Sequence, residues 1–385
     1  MRFKKTALCI IALMTLASAD YKSLSPDNEI FRSQKYVVIP FDTLNSKLGV
    51  QVYDINTGAL LTRIAPLIGG NKTTGISVSD QSGRIVITTI DYSVNEDMGR
   101  TAQCYDISGK LLWKYPLVGE NILIISPSGA YATSLVGDNL IVLDGKTGQP
   151  LHASTQPANG ENAGPDSVLM SAGTYVCAFD KNDDLILIQN SEKSIFKFNI
   201  AKKEIVAREK IDIDTALLIG AIGRPATASF STSPSHEVIS AAFFVYKKGG
   251  NQKSIGSVVY SWDCYLKQQM KTMYDEPVQK LRMLSENKIL TGNASRTYKL
   301  GRCLKIHDLN DKSTRVLEDS PYYSEFTNAV LTGDSLFYQM RANKHDPYHK
   351  TIFSGKMHIA NAKSLQDVDA IPVFEDMKNR IKVAK

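Results

Sequence analysis

One phrase recurs in this chain, and it constrains the fold more than any other feature. It reads "VYDINTGALLTRI" at 52–64, "CYDISGKLLWKYPL" at 104–117 and "IVLDGKTGQPLHAS" at 141–154. Each copy is a run of alternating apolar residues that ends in Asp54, Asp106 or Asp144. A polar turn follows and closes on Gly58, Gly109 or Gly148, and a second apolar run comes next. That grammar spells a β-hairpin. The Asp carboxylate accepts hydrogen bonds from turn amides, and the Gly supplies the left-handed backbone of a short bulged loop.

A second phrase precedes each hairpin. "GISVSDQSGRIVITT" (75–89) and "ILIISPSGAYATSL" (122–135) share a strand, a Ser with a turn closing on Gly83 or Gly129, and another strand. Weaker copies of the pair continue to residue 368, and "KYVVIPFD" (35–42) stands before the first hairpin. The inner turns fall near 42, 81, 128, 182, 235, 286 and 333. The unit is therefore four strands long and repeats about every fifty residues. A lone hairpin is marginal in water, so such units must pack on one another.

This period predicts an all-β chain: a seven-bladed β-propeller of four-stranded antiparallel blades, with six or eight blades as the alternatives. A β-solenoid would repeat at twenty to thirty residues, and paired sandwiches would carry no such period. The expected layout is a leader at 1–19, the propeller over 20–372 and a C-terminal tail at 373–385. "VFEDMKNRIKVAK" in that tail has the pattern of a short amphipathic helix.

The leader is expected from Arg2, Lys4 and Lys5, the apolar run 6–16 and the small residues Ala17-Ser18-Ala19. This is the form of an export signal cleaved before Asp20, with an uncleaved anchor as the alternative. Its apolar run is short for a membrane helix. Removing it takes three of the 45 basic residues and leaves 42 against 39 acidic ones. That balance implies neither a nucleic-acid nor an anionic-membrane partner, which require a concentrated basic patch. A periplasmic or secreted location follows from the leader.

Cys104, Cys177, Cys264 and Cys303 remain after cleavage, and three pairings are open to them. The chain is long enough to build a core without any. No Cys-x-x-Cys occurs, so a zinc ribbon or a thioredoxin-type site has no support.

The string "CYDISGKLLWKY" resembles the repeat of quinoprotein-like (PQQ-type) propellers, with Trp113 in the tryptophan place. "SPSGAYATS" resembles the inner turn of WD-repeat and related bacterial propellers. The resemblance implies the fold, not an activity, because propellers host enzymes, scaffolds and receptors alike. It carries no quinone ligands across: there is no adjacent Cys pair and no haem-attachment string. No cofactor is expected.

Two clusters are candidate metal sites. In "DKNDD", Asp180, Asn182 and Asp184 have the spacing that opens a calcium loop, but Leu185 and Ser191 stand where such a loop needs Gly and Glu. A polar turn between strands is the simpler reading. In "HDPYH", His345 and His349 flank Asp346 and Pro347, in what reads as an exposed hairpin insertion. His307 reads as a strand residue beside its turn. No hydrolase elbow and no dinucleotide or Walker glycine pattern is present.

Two functions are consistent with these residues. One is an exported, non-catalytic propeller that binds a protein or other ligand through loops on one face, with 155–170, 245–256 and 342–355 as contact segments. The alternative is an enzyme or enzyme subunit with polar residues from several blades converging at a central channel.

Overall fold

A computed structural model describes residues 31–42, 48–55, 59–65, 67, 72–90, 100–117, 123–136, 139–154, 174–189, 193–212, 217–219, 227–247, 256–275, 278, 280–292, 303–319, 323–332, 335–342, 357–361 and 367–371. Among them there is no helix. They form sheets of antiparallel strands, laid down one after another along the chain.

Sheet 1 holds β1 (Phe31–Arg32), β2 (Tyr36–Asp42), β3 (Leu48–Asp54) and β4 (Leu60–Ile64) in that order. Sheet 2 holds β5 (Lys72–Ser79), β6 (Arg84–Ile90), β7 (Arg100–Asp106) and β8 (Leu111–Leu117). Sheet 3 holds β9 (Ile124–Ile125), β10 (Tyr131–Val136), β11 (Asn139–Asp144) and β12 (Pro150–Ser154). Sheet 4 holds β13 (Thr174–Phe179), β14 (Leu185–Gln189), β15 (Ser194–Asn199) and β16 (Glu204–Lys210).

Sheet 5 has five strands: β17 (Leu217–Ile219), β18 (Thr227–Thr232), β19 (Val238–Lys247), β20 (Gly256–Asp263) and β21 (Gln268–Tyr274). The long β19 pairs with β17 at one end and β18 at the other. Sheet 6 holds β22 (Lys280–Ser285), β23 (Lys288–Gly292), β24 (Cys303–Asp308) and β25 (Thr314–Asp319). Sheet 7 holds β26 (Tyr323–Thr332), β27 (Ser335–Ala342), β28 (Met357–Asn361) and β29 (Asp367–Ile371).

The sequence places the first inner turn near 42, and the structure corrects this. The turn is at 33–35, between β1 and β2, where Ser33 N donates to Tyr36 O. "YVVIPFD" is the second strand of its sheet. The first strand spans only two residues, too few to show an alternating pattern.

With this correction the inner turns align. Ser33, Ser79, Ser126, Asp180, Ser233 and Ser285 each stand just past the first strand of the turn or at its end. Their side chains cap the turn. Ser33 Oγ accepts from Tyr36 N at 2.8 Å, Ser79 Oγ from Ser82 N at 3.2 Å, and Ser233 Oγ from Val238 N at 3.1 Å. Asp180 Oδ1 does the same for Asn182 N and Asp184 N, both at 2.9 Å.

The outer hairpins obey an equally regular rule. Asp106 N donates to Lys110 O, and Gly109 N to Asp106 O; Asp263 N donates to Lys267 O, and Leu266 N to Asp263 O. Asp106 Oδ1 accepts from Ser108 N and Lys110 N, as Asp263 Oδ1 does from Tyr265 N and Lys267 N. Gly109 and Gly148 take φ of +88° and +71°. In the diverged hairpins the same left-handed place is held by Lys203, Leu266 and Lys312.

The described chain divides into two compact units: Met1–Gly129 with Gly145–Gly148 and Thr327–Lys385, and Ala130–Asp144 with Gln149–Phe326. In the first, Val38, Val50, Val52 and Ile64 of sheet 1 pack against Ile85, Ile87 and Tyr105 of sheet 2. In the second, Ile186, Ile188 and Ile195 of sheet 4 pack against Ile239, Phe243, Tyr260 and Trp262 of sheet 5. The other face of sheet 5, with Ala242 and Val259, packs against Leu281, Met283 and Ile289 of sheet 6. Sheet 5 is thus covered on both faces, and its middle strands β19 and β20 send apolar residues to each.

Backbone groups at these seams are met by serine hydroxyls. Ile125 N donates to Ser77 Oγ at 3.0 Å, Leu281 N to Ser229 Oγ at 2.9 Å and Met283 N to Ser231 Oγ at 3.0 Å. Each bond runs from one sheet to the innermost strand of the sheet before it. Buried amides that no ladder reaches are thereby satisfied.

Candidate functional site

The calcium-loop candidate lies in the inner turn of sheet 4, between β13 and β14. Asp180 is fully buried and Asp184 nearly so. A carboxylate has one more oxygen than the serine hydroxyl that caps the other turns. That extra atom, Asp180 Oδ2, lies 2.5 Å from Lys197 Nζ on β15. Asp184 Oδ2 lies 3.0 Å from the same ammonium, and Asp184 Oδ1 accepts from Asn199 Nδ2 at 2.6 Å.

A lysine therefore sits where a cation would. Its third partner is the carbonyl of Cys264, at 3.3 Å, in the outer turn of sheet 5. Burial works against the Lys197 ammonium, but the carboxylates of Asp180 and Asp184 outweigh that cost and hold its pKa above the ordinary lysine value. Asn182 contributes its backbone amide to Asp180 Oδ1. The sequence offered a signal for this. Two residues before the turn residue, sheets 1, 2 and 3 carry Val52, Cys104 and Val142, whereas sheet 4 carries a lysine.

The bond from Lys197 to the next outer turn has counterparts. Thr62 Oγ1 of sheet 1 donates to Ser108 O in the turn of sheet 2 at 3.1 Å. Trp113 Nε1 of sheet 2 donates to Gly145 O at 3.0 Å. The tryptophan that resembles the quinoprotein signature is thus 6% exposed and committed to the next turn. Its ring lies under Gly148.

Of the remaining turn residues, Asp54, Asp106 and Asp144 each close an outer hairpin through a backbone bond. Hydrogen bonds, first that of the Ser108 hydroxyl, pull the Asp106 carboxyl below its usual range. Gly58, His345 and His349 lie outside the described residues. So do the segment 155–170 and the tail 373–385. Cys104 and Cys264 are buried free thiols, and burial pushes that of Cys104 up to about 12. Among the described residues no group of three or more His, Cys, Asp or Glu is placed to hold a metal ion. Among the described residues no helix long and apolar enough to cross a membrane occurs.

A second feature was not readable in the sequence. Between sheets 5 and 6 runs a groove of about 800 Å³. Ser261 of β20 is among its lining residues, and the strand pair it belongs to carries small side chains. The strand pair that is Val86–Cys104 in sheet 2 and Ile186–Lys197 in sheet 4 is Ser240–Ser261 in sheet 5. These two serines hydrogen-bond each other. At this seam Met270 stands on the outer strand where sheet 2 has Trp113, and a thioether donates no hydrogen bond to the next turn.

His307 of β24 forms one wall. Thr291 Oγ1 is 2.7 Å from its Nε2, Thr314 Oγ1 is 2.9 Å from its Nδ1, and the Tyr274 ring is 4.6 Å away. The imidazole is held at both nitrogens. Burial pushes the Tyr274 hydroxyl up to about 12.

No family model matches the chain, and no curated protein matches it. Solved structures do. The crystal structure of the β-propeller domain of Myceliophteria thermophila Cps50 (Swd1) matches at 11% identity and a TM-score of 0.54, covering 81% of this chain and 92% of that one. A crystal structure of the eukaryotic initiation factor covers 91% of this chain and 89% of its own at 11% identity, with a TM-score of 0.47. The first of these gives the fold: a β-propeller.

Proposed function

We infer that this chain is an exported, non-catalytic propeller of seven blades that serves as a protein-interaction scaffold. The blade number is supported by the seven successive sheets, each built on one copy of the fifty-residue phrase. Export is supported by the basic, apolar and small-residue order of positions 2–19. A periplasmic or secreted location goes with it.

The observation that carries the scaffold reading is the Lys197 triad. The buried carboxylates of the chain's best candidate for chemistry are spent on joining one sheet to the next. Trp113 is spent in the same way. A scaffold of this fold would present its loops and seams for recognition, and that supports the reading.

The test is chemical cross-linking in cells that make the protein, followed by purification and mass spectrometry. The expected result is a purified chain beginning at Asp20, cross-linked to one protein in near-stoichiometric amount. A chain that retains its leader inside the cell, or that links to no protein, refutes the reading.

A further inference from the structure

We propose that the groove between sheets 5 and 6 is a docking site for an extended, basic segment of a partner protein, which adds as a strand to the free edge of β21. This rests on the scaffold reading and names the partner's chemistry. Among the described residues β21 is the outer edge of sheet 5, with no strand paired beyond it. Six consecutive residues, from Gln269 to Tyr274, line the groove. Side chains alternate between faces along a strand, so an unbroken run of lining residues means the groove follows the strand's edge. An open edge presents unpaired amides and carbonyls, and an extended peptide can satisfy them.

The side chains select what enters. Met270 and Tyr274 of sheet 5 and Leu309 of sheet 6 are half-buried apolar groups on one cluster at the groove. An apolar side chain of the segment fits between them. The charges on the lining favour a cation beside it. Lys271 is already held by Asp212 Oδ2 at 3.1 Å. Asp263 is taken up by the amides of its own turn and by Gln269 Nε2. Asp308 Oδ1 likewise accepts from Asn310 N of its turn. Across the whole lining three carboxylates, Asp263, Glu286 and Asp308, stand against two ammonium groups, Lys271 and Lys312, which leaves one negative charge in excess. The lysine that guards β21 faces away from this seam, since Lys271 lies over Tyr260 on the sheet 4 side.

The test uses the intact chain and fluorescence anisotropy. The probe is a labelled, capped hexapeptide alternating arginine with leucine and valine. Its counterpart has glutamate for arginine, and a third version is N-methylated on alternate amides. The arginine peptide is expected to bind, and the other two to bind at least about tenfold more weakly. Glu286→Lys, and separately Thr272→Arg on the groove side of β21, are expected to weaken the arginine peptide about tenfold with unchanged melting temperature.

Equal binding of the arginine and glutamate peptides, no binding of either, or indifference to both substitutions overturns the proposal. If these results come while a cross-linked partner is still recovered, the groove is wrong and the scaffold stands. If no partner is recovered, the scaffold reading itself has failed.

Discussion

Gly148 in the outer turn of sheet 3 lies directly over the indole of Trp113 in sheet 2. A Cβ placed on Gly148 would sit 2.7 Å from the ring. Its φ of +71° is also one that side-chain-bearing residues adopt at a cost. Two independent reasons thus require glycine at this point. Gly148→Ala is expected to destabilise the protein by about 2–4 kcal/mol, from backbone strain and displacement of a buried ring. Urea denaturation measures this, and a loss below about 0.5 kcal/mol would show that the seam tolerates a methyl group.

Lys197 supplies a sharper test, because the theory of buried ion pairs predicts opposite outcomes for one change and for three. Lys197→Ala leaves the Asp180 and Asp184 carboxylates buried and facing each other. It is expected to cost about 3–5 kcal/mol. Asp180→Ser with Asp184→Asn and Lys197→Met restores the serine cap of the other turns and removes every charge. This variant is expected within about 1 kcal/mol of the parent. Equal losses in both would mean that the residues matter for shape and not for charge.

The same ammonium sets an alkaline limit. Its folded pKa is raised, so the stability it contributes is full below the unfolded lysine value of about 10.4 and is lost as pH rises through the folded value. The melting temperature of the parent should fall from about pH 10 upwards more steeply than that of the triple variant. Parallel curves for the two proteins would remove Lys197 from the account.

Lys203 closes the outer turn of sheet 4 at a φ of +56°, in full solvent. Gly109 and Gly148 do the same work without a Cβ. Lys203→Gly is therefore expected to raise stability by about 0.5–1 kcal/mol, a sign that few surface changes to glycine share. Chemical denaturation decides it, and any loss of stability contradicts the turn assignment.

Cys104 and Cys264 are buried thiols in different units. In a variant with Cys9, Cys177 and Cys303 replaced by serine, both should react with an aromatic disulfide reagent only as fast as the structure opens, at least about a hundredfold slower than in denaturant. Rapid reaction of either one in the folded protein would refute its burial.

Much of the fold was legible because turns demand particular atoms. Asp106 and Asp144 announce hairpins because a carboxylate must collect turn amides, and Gly109 and Gly148 because the backbone runs left-handed. The pattern fades where the demand is met by unusual residues. Leu266 and Lys312 hold the same φ without being glycine. The opening turn at 33–35 was misplaced because its first strand is two residues long.

The site was less legible. Asp180 and Asp184 stand out in "DKNDD", but their partner Lys197 lies across a strand, and the Cys264 carbonyl it reaches is 67 residues further on. The groove was invisible for a related reason. Its lining draws on Val238 and Ser261 of sheet 5 and on His307 and Thr314 of sheet 6, which are far apart in the sequence and meet only in the fold.

The donors that reach from one sheet to the next outer turn are a hydroxyl at Thr62, an indole at Trp113 and an ammonium at Lys197. Each is a latch cut for a single neighbour. A repeat copied elsewhere in the gene would arrive with the wrong key. Sheets 1, 2 and 4 share one phrase but not one latch, and each is matched to the turn that follows it.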